Sequence, residues 1–349
     1  MATMKDVAMK AGVSVATVSN VINGKQNVTS ELTERVLKAI KDCDFHVNLT
    51  ARGLKTSKSK TIGVVLPDMT KIFFNEVMRG ILEYAESHGY RIIVLNSYYN
   101  YSTEKECIAS LRSSNVDGII LDSCCDYHQL KEWACELSTY EGRYTPIVFL
   151  ENSIDDDLVS SVTIDAYYWS GRITQYLISH GRKRILFVCG PLHLRHERDR
   201  YYGYEQTLKD NGIKPSDNLI IQGDFSSGSS YSLFQKFLLK NIKFDAVQAS
   251  SDEAAIGVLK VLKEHGYHIP EDILICGFDD LFPSSLVDPG ITTVRVPKHE
   301  IGYEAVKECI HLIEDPSLPR RRIVLSSEMI IRGSTDKNST DTSWNLVYW

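Results

Sequence analysis

Small side chains that suit contacts with nucleic-acid bases are concentrated in residues 11–24, AGVSVATVSNVING. An asparagine such as Asn20 can pair with adenine through two hydrogen bonds, and the apolar Val15 and Ala16 can contact the methyl group of thymine. The hydroxyl groups between them can donate to phosphate oxygens. These side chains would read a DNA sequence only if one helix presented them on one exposed face.

Three short helices are predicted to position these side chains. Thr3 can cap the first helix, with Asp6 in the capping-box position, and Gly12 ends it. Ser14 caps the second helix and Thr29 caps the third. Small apolar side chains should fill the core between the helices, namely Ala8, Val13, Val18 and Val21.

Two helices joined by a tight glycine turn, with a third helix packed on both, form a helix-turn-helix motif. In such motifs the second helix enters the major groove, and the residues near its N-terminus face the bases. The alternative from the pattern alone is a three-helix bundle with small surface residues and no DNA partner. On the first interpretation, the residues that contact DNA are Ser14, Val15, Ala16, Thr17, Ser19, Asn20 and Asn23.

The distribution of charge also indicates an anionic partner for this segment. Residues 1–60 contain ten Lys and Arg against five Asp and Glu, although the whole chain has a formal net charge of −6. A basic segment on an acidic remainder favours contact with an anionic molecule, and a solvated basic face is the alternative.

From Thr61 onward, strand-like and helix-like segments alternate along the chain. Nearly continuous apolar strands separated by amphipathic helices predict parallel sheets covered on both faces. Nine strands are more than one such sheet usually holds, so we expect two doubly wound α/β lobes with a ligand cleft at the carboxyl ends of the strands. The predicted strands are TIGVVLPD (61–68), RIIVLNS (91–97), DGIILDS (117–123), PIVFLEN (146–152), SVTID (161–165), RILFVCG (184–190), NLIIQGD (218–224), FDAVQASSD (244–252) and DILICGFDD (272–280).

Other features of the chain limit the class of protein. Its 349 residues should form more than one domain. The eight cysteines are scattered, which is typical of a reduced, cytoplasmic protein, and we expect neither a membrane span nor a signal peptide. Catalytic and nucleotide-binding motifs are missing, so we expect no enzyme and no cofactor. The pattern HLRHE at 193–197 could hold a metal ion, but it lies in a predicted loop and we expect no metal there.

The segments MKDVAMKAGVSVATVSNVING and VTSELTERVLKAIKDCDFHVNLTARGLKT resemble the lactose-repressor family of bacterial transcription regulators. The resemblance continues through HGRKRILFVCGP, RYYGYEQTL, SSDEAAIGVLKVLKEHGYHIPEDILICGFDD and ITTVRVP to EMIIRGST. It implies a helix-turn-helix domain at 1–46, a linker with a hinge helix at 47–60, a periplasmic-binding-protein-like domain of two lobes at 61–334 that binds an effector and dimerises, and a tail at 335–349.

The resemblance implies a second contact with DNA through the linker. In the family, the linker becomes a helix when a dimer sits on its operator, and a leucine from each subunit opens a base step in the minor groove. Leu54 matches that leucine, and a flexible pyrimidine–purine step would tolerate the wedge best. The residues that match the family's hinge contacts are Asn48, Ala51, Arg52 and Leu54.

Two positions depart from the family pattern. Asn20 stands where the family usually has Arg, so we expect a different base at that operator position. Val47 stands where the family usually has Pro, and because Val leaves φ freer, the hinge should order less readily.

The resemblance also implies an effector site between the two lobes. RYYGY places Arg200 at the family's ligand-clamping arginine, and SSDEAA places Asp252 at its partner carboxylate. A guanidinium and a carboxylate can bind neighbouring hydroxyl groups of a sugar, and an aromatic ring can cover its apolar face, although the same groups could bind a purine. Phe74 could equally belong to the core. The expected effector residues are Phe73, Phe74, Glu151, Asn152, Arg200, Phe225 and Asp252.

The sequence therefore predicts a dimeric, cytoplasmic transcription regulator, most simply a repressor, that binds a pseudo-palindromic operator and responds to a small molecule. A sugar effector is favoured over a purine corepressor. A solute-binding protein of the same fold and a sugar-processing enzyme are the alternatives from other classes. The tail lacks the leucine heptads of tetrameric family members, and whether its aromatic residues pack on the body stays open.

Overall fold

The computed structural model of the chain describes residues 2–22, 28–45, 58–138, 144–152, 154 and 158–339. The chain divides into two compact units, Met1–Ser59 and Lys60–Trp349, which we call the head and the body. No helix within the described ranges is long and apolar enough to cross a membrane.

The head contains the three predicted helices, α1 (Met4–Ala11), α2 (Val15–Ile22) and α3 (Ser30–Asp42). The capping box that opens α1 is confirmed, because the Thr3 amide donates to the Asp6 carboxylate at 2.7 Å and the Asp6 amide donates to the Thr3 hydroxyl at 3.4 Å. Gly12 ends α1 with a φ of 61°, a left-handed conformation that glycine adopts without strain. The Ser14 hydroxyl accepts from the Thr17 amide at 3.1 Å and so begins α2.

The core of the head is formed by one face of each helix. Ala8 and Val18 are buried as predicted, and Val13 and Val21 pack against them while partly exposed. The buried residues Val7, Ala11, Val36, Ala39 and Phe45 complete this core. Val36 belongs to the helical repeat of apolar residues in the third helix, and the other four were not singled out by the sequence.

The body consists of two α/β lobes, as predicted. The N-lobe contains a six-stranded parallel sheet with strand order β11-β5-β4-β3-β1-β2, and the C-lobe contains a four-stranded parallel sheet with order β7-β6-β8-β9. The two short strands β10 and β12 pair with each other in antiparallel fashion. The strands are β1 Thr61–Leu66, β2 Arg91–Asn96, β3 Gly118–Leu121, β4 Ile147–Leu150, β5 Ser160–Ile164, β6 Ile185–Cys189, β7 Ile220–Gln222, β8 Ala246–Ala249, β9 Leu274–Cys276, β10 Thr293–Arg295, β11 Arg322–Leu325 and β12 Glu328–Ile330.

Helices cover the sheets and fill the connections between strands. In the body they are α4 Ile72–Ser87, α5 Tyr101–Ser113, α6 Leu130–Ser138, α7 Ala166–Ser179, α8 Arg195–Asp210, α9 Ser227–Leu238, α10 Asp252–Glu264, α11 Phe282–Leu286 and α12 Lys298–Glu314. The central strands β1, β3, β4, β5, β6 and β8 are buried along their whole length. This burial explains the nearly continuous apolar sequence of β1, β3, β4 and β6.

The nine predicted strands are confirmed, but the sequence did not predict β10, β11 and β12. Each of these three has only three or four residues, and β11 alternates between exposed and half-buried positions instead of forming an apolar run. Together they show that the chain passes between the lobes three times: after β5, after β10 and after β11.

Two glycines let α4 and α12 pack closely in the N-lobe. A Cβ atom on Gly80 would overlap the carbonyl oxygen of His299, and a Cβ atom on Gly302 would overlap that of Val77. Because the two backbones touch at these points, α12 is fixed to the N-lobe although it follows the C-lobe strands in sequence.

Candidate functional site

The exposed face of α2 carries the side chains that the sequence predicts for base contacts. Val15 is 41% exposed and Ala16 is also exposed, although both are apolar. Asn20 is half-buried, as are Thr17 and Ser19. Val18 points into the head and is fully buried, so the predicted division of α2 into an outer and an inner face agrees with the structure. The remaining predicted DNA contacts, Asn23, Asn48, Ala51, Arg52 and Leu54, lie outside the described residues.

A cleft between the two lobes of the body holds about 570 Å³ of empty space and opens to solvent. Pro67, Asp122 and Glu151 come directly after strands of the N-lobe, and Ser251 lies two residues after a strand of the C-lobe. This is the edge where parallel sheets bind ligands. The N-lobe contributes Pro67, Lys71, Phe73, Phe74, Tyr99, Asp122 and Glu151, and the C-lobe contributes His196, Arg200, Phe225, Ser251, Glu253, Asp279 and Leu281.

Arg200, on α8, is the central charged residue of this cleft and is only 4% exposed. Its Nη1 donates to the Ser250 carbonyl oxygen at 2.5 Å and to Glu197 Oε1 at 3.4 Å. Its Nη2 donates to Asp279 Oδ1 at 3.2 Å and lies 3.9 Å from Glu151 Oε2 of the other lobe. The guanidinium is therefore held in one orientation by carboxylates from both lobes.

The structure corrects the prediction for Asp252. Its carboxylate does not line the cleft, because its oxygens accept from the Leu281 amide and the Thr293 hydroxyl, both at 2.7 Å. The carboxylate that pairs with Arg200 is Asp279, at the end of the predicted strand DILICGFDD. Asp252 instead fixes the start of α10, where its neighbour Ser251 reaches the cleft. A carboxylate at a strand end was the signal that could have identified Asp279.

The prediction for Asn152 is also corrected, because this residue lies behind the cleft wall and does not line the cleft. It is 1% exposed, and its side-chain amide donates to Asp122 Oδ1 at 3.3 Å and to the Ser123 carbonyl oxygen at 3.1 Å. Asn152 therefore orients Asp122, which does line the cleft and which the sequence did not single out.

Aromatic rings from both lobes form part of the cleft wall. The Phe225 ring lies 6.0 Å from the Tyr99 ring and 5.9 Å from the His196 ring, with interplanar angles of 26° and 28°. The ring of Phe225 also covers Gly190, where a Cβ atom would overlap it. The sequence identified Phe225 but not Tyr99, because nothing in SYYNY distinguishes one tyrosine from the others.

The two phenylalanines that begin α4 both reach the cleft. Their rings meet edge to face with centroids 5.3 Å apart. Phe74 is only 5% exposed and also belongs to the core of the body, so both of its expected roles occur together.

Three buried polar atoms of cleft residues have no hydrogen-bond partner. They are Oε1 of Glu151, Nδ1 of His196 and Nε of Arg200. Buried polar groups in proteins are nearly always paired, and leaving one without a partner costs about 1–3 kcal/mol. These atoms are therefore the places where a bound molecule would gain most from hydrogen bonds.

Burial determines the charge states around the cleft. It raises the pKa of Glu151 to about 7, although Arg200 opposes the shift. Burial also raises the pKa values of Asp122, Asp279 and Glu197 above their ordinary range. It lowers the pKa of His196 to about 3, and that imidazole is consequently neutral near pH 7.

Direct contacts across the mouth of the cleft hold the lobes together. Lys71 Nζ of the N-lobe lies 2.8 Å from Glu253 Oε2 of the C-lobe. The Tyr127 amide donates to the His193 carbonyl oxygen at 2.9 Å, and the Arg198 guanidinium lies 4.2 Å from the Tyr127 ring centroid. The structure is therefore a closed form of the body.

Within the pattern HLRHE, His196 lines the cleft and Glu197 lies behind Arg200. Glu197 is fully buried and accepts from the Gly190 amide and the Ser250 hydroxyl, both at 2.7 Å. It supports Arg200 from behind instead of pairing with the histidines. Within the described ranges, no group of three or more His, Cys, Asp or Glu is placed to hold a metal ion.

Comparison with known protein families gives two matches. Residues 3–48 match the bacterial regulatory proteins of the lacI family, and residues 174–335 match the periplasmic binding protein-like domain. The two segments include α2 and the C-lobe side of the cleft.

Individual proteins match along almost the whole chain. The HTH-type transcriptional regulator RegA of Clostridium saccharobutylicum is 36% identical over 337 residues, which cover 96% of this chain and 100% of that protein. The ribose operon repressor of Escherichia coli strain K12 is 32% identical over 336 residues, again covering 96% of this chain and 100% of that protein.

Solved structures show the same architecture. A cellobiose complex of the transcriptional regulator CelR has a TM-score of 0.71 at 26% identity and covers 96% of this chain and 100% of that one. The lac repressor bound to ONPG in its repressed state has a TM-score of 0.86 at 24% identity, with 96% and 99% coverage, which shows the shared fold. With 36% and 32% identity to two transcription regulators along nearly its full length, the chain belongs to the lacI family of bacterial regulatory proteins and is a DNA-binding transcription regulator, not an enzyme.

Proposed function

We propose that this regulator binds a small polyhydroxylated molecule, most simply a sugar, in the cleft of the body, and that binding changes its affinity for operator DNA. The observation that carries the proposal is the set of three unpaired buried atoms on Glu151, His196 and Arg200, which face one cleft from both lobes. A ligand that bridges them would favour the closed form over an open one.

Two relatives support a sugar as the ligand. The ribose operon repressor is named for a sugar operon, and the CelR structure contains cellobiose. The aromatic side chains of Phe73, Tyr99 and Phe225 supply apolar walls beside the charged groups, which suits a sugar ring with one apolar face.

For the head, we propose that α2 reads the major groove. Val15 and Ala16 would contact a thymine methyl group, Asn20 would pair with adenine, and Ser14, Thr17 and Ser19 would contact phosphates. The exposure of two apolar side chains at the N-terminal end of α2 supports this assignment. The linker residues Asn48, Ala51, Arg52 and Leu54 would add the minor-groove contact.

The protein would act as a homodimer in the cytoplasm and repress transcription from a pseudo-palindromic operator. Two-fold symmetric sites require two heads at a fixed spacing. Large apolar side chains that are exposed on the body, among them Leu82, Ile93, Phe282 and Leu286, supply surface for a subunit contact.

Selection of bound sites from a random duplex pool tests the DNA function. The purified full-length protein should enrich a symmetric site with a central pyrimidine–purine step, and Leu54→Ala should lose it. Repeating the selection with free sugars, and with purines, tests the effector. If DNA sites are enriched only when a purine is present, the effector is a purine corepressor and not a sugar. If no DNA site is enriched under any condition, the proposal is contradicted.

A further inference from the structure

We propose that the cleft is specific for an uncharged sugar or polyol and rejects the phosphorylated form of the same molecule. This inference rests on the proposed function, since it concerns the chemical class of the effector.

Acidic groups outnumber basic groups in the cleft wall. Four carboxyl groups line it, and Glu197 lies directly behind Arg200 as a fifth. The lining cations are Lys71 and Arg200. The lining carboxyl groups belong to Asp122, Glu151, Glu253 and Asp279.

Both cations already have partners. Lys71 pairs with Glu253 at 2.8 Å. Nη1 of Arg200 donates to the Ser250 carbonyl oxygen and to Glu197, and Nη2 donates to Asp279, so the guanidinium keeps its Nε–H and one N–H of Nη2 for a ligand. A phosphate group entering the cleft would have to displace these contacts before it found a counter-charge.

The unpaired atoms match hydroxyl groups better than they match an anion or a cation. Arg200 Nε donates, and Oε1 of Glu151 accepts once this carboxyl is ionised, which its pKa of about 7 places above neutral pH. A hydroxyl group can accept and donate at the same time, so two neighbouring hydroxyls could satisfy both atoms. A phosphate dianion has no proton to give to an ionised Glu151, and an ammonium group has no lone pair for Arg200.

Burial makes the cost of an added negative charge larger. Glu151, Asp122 and Asp279 all have pKa values raised by burial, which means that the closed cleft already disfavours its own negative charges. A further anion in the same cleft would be repelled by each carboxylate that remains ionised.

Isothermal titration of the full-length protein with matched ligands tests the proposal. The probes are ribose, glucose, fructose and their 5- or 6-phosphates, with glucosamine as a cationic member, cellobiose as a neutral disaccharide, and hypoxanthine and guanine as purines. We expect at least one neutral sugar to bind, with a Kd about 100-fold lower than that of its phosphate, equivalent to ~2.7 kcal/mol.

The outcomes separate the inference from the proposed function. A phosphorylated sugar that binds as tightly as its neutral form, or more tightly, would show that the effector need not be uncharged. Binding of glucosamine but not of glucose would show the same. Either result would leave the cleft as an effector site. Binding of a purine alone would overturn the sugar class as well. If no probe binds, both the inference and the effector cleft fail.

A charge variant supplies a second readout. Glu253→Gln should remove the charged partner of Lys71 at the cleft mouth and leave the lysine available to a phosphate group. The affinity for a sugar divided by the affinity for its phosphate should therefore decrease by about 10-fold. Glu304→Gln is the matched control, because it removes a carboxylate that also pairs with a lysine, Lys307 at 2.9 Å, but does not line the cleft. An unchanged ratio in Glu253→Gln, or equal changes in both variants, would count against selection by cleft charge.

Discussion

Glu151 and Arg200 face each other across the cleft, with Glu151 Oε2 3.9 Å from Arg200 Nη2. The first residue follows β4 in the N-lobe and the second lies on α8 in the C-lobe. Each also carries one of the unpaired buried atoms. A ligand that contacts both residues would therefore connect the two lobes directly, and its binding energy would depend on their separation.

Replacing Arg200 should remove effector binding. Arg200→Ala deletes the donor at Nε and leaves Glu197 and Asp279 without their cation, so we expect at least a 100-fold loss of effector affinity by titration calorimetry. The control is Arg195→Ala on the same helix, where the arginine pairs with Asp199 at 3.0 Å and does not line the cleft. Equal losses in the two variants would show that the effect is structural.

The titration of Glu151 should lower the stability of the ligand-free body as pH rises. Burial raises its pKa from 4.5 to about 7, so between these values the unfolded chain ionises this carboxyl while the folded chain keeps it protonated. The stabilising effect is complete below pH 4.5 and is lost as pH approaches 7.

Comparison with Glu151→Gln removes the titrations that the wild type and the variant share. The free energy of unfolding of the wild type, minus that of the variant, should fall by about 3 kcal/mol between pH 4.5 and 7.5 in urea denaturation. Glu86→Gln, at an exposed position, supplies the control for replacing a carboxyl group by an amide. A pH-independent difference between the wild type and Glu151→Gln would contradict the raised pKa.

Asn20 should determine one base pair in each operator half-site. Asn20→Ala would remove the proposed two-point contact with a base, so we expect a loss of about 1–3 kcal/mol on the preferred site and relaxed selection at that position. Quantitative binding to a set of single-base operator variants would measure both effects. Met9→Ala, at a position on α1 that is 78% exposed, is expected to leave the base preference unchanged. If Asn20→Ala kept the base preference of the wild type at that position, Asn20 would not be a residue that contacts a base.

Gly302 should be required for the N-lobe. In Gly302→Ala the new methyl group overlaps the Val77 carbonyl oxygen, and forcing α4 and α12 apart should cost about 1–3 kcal/mol of unfolding free energy. Gly228→Ala is the matched change in another helix, α9, where nothing lies within 4 Å of the added atom. That control should be neutral or stabilising by up to about 1 kcal/mol. Equal stabilities of the two variants would contradict the close helix packing.

The sequence predicts the architecture well because local signals control it. Thr3, Gly12 and Ser14 act within a few residues of chain, and the apolar strands are long enough to be distinctive. The residues of the cleft are harder to predict from the sequence, because they come from strands that meet only after folding. Asp252 and Asp279 are both carboxylates at strand ends, and only the packed structure shows that the first turns toward Thr293 and the second toward Arg200.

Strands β10 and β12 mark another limit of prediction. Each has three residues, and their pairing joins segments separated by about 35 positions that carry no distinctive periodicity. Tyr99 was missed for a related reason, since its contact with Phe225 depends on the approach of two lobes and not on local sequence.

The three passages of the chain between the lobes have a consequence for synthesis. The N-lobe takes its first strand from Thr61–Leu66 and its last from Arg322–Leu325, so its sheet cannot be completed until the chain up to Leu325 has left the ribosome. The C-lobe in turn receives β12 still later. Nascent chains stopped before residue 322 would hold a sheet with β5 unpaired on one edge, an exposed template for aggregation. Any truncation that removes β11 should therefore destabilise the N-lobe, although most of that lobe is formed by the first part of the body.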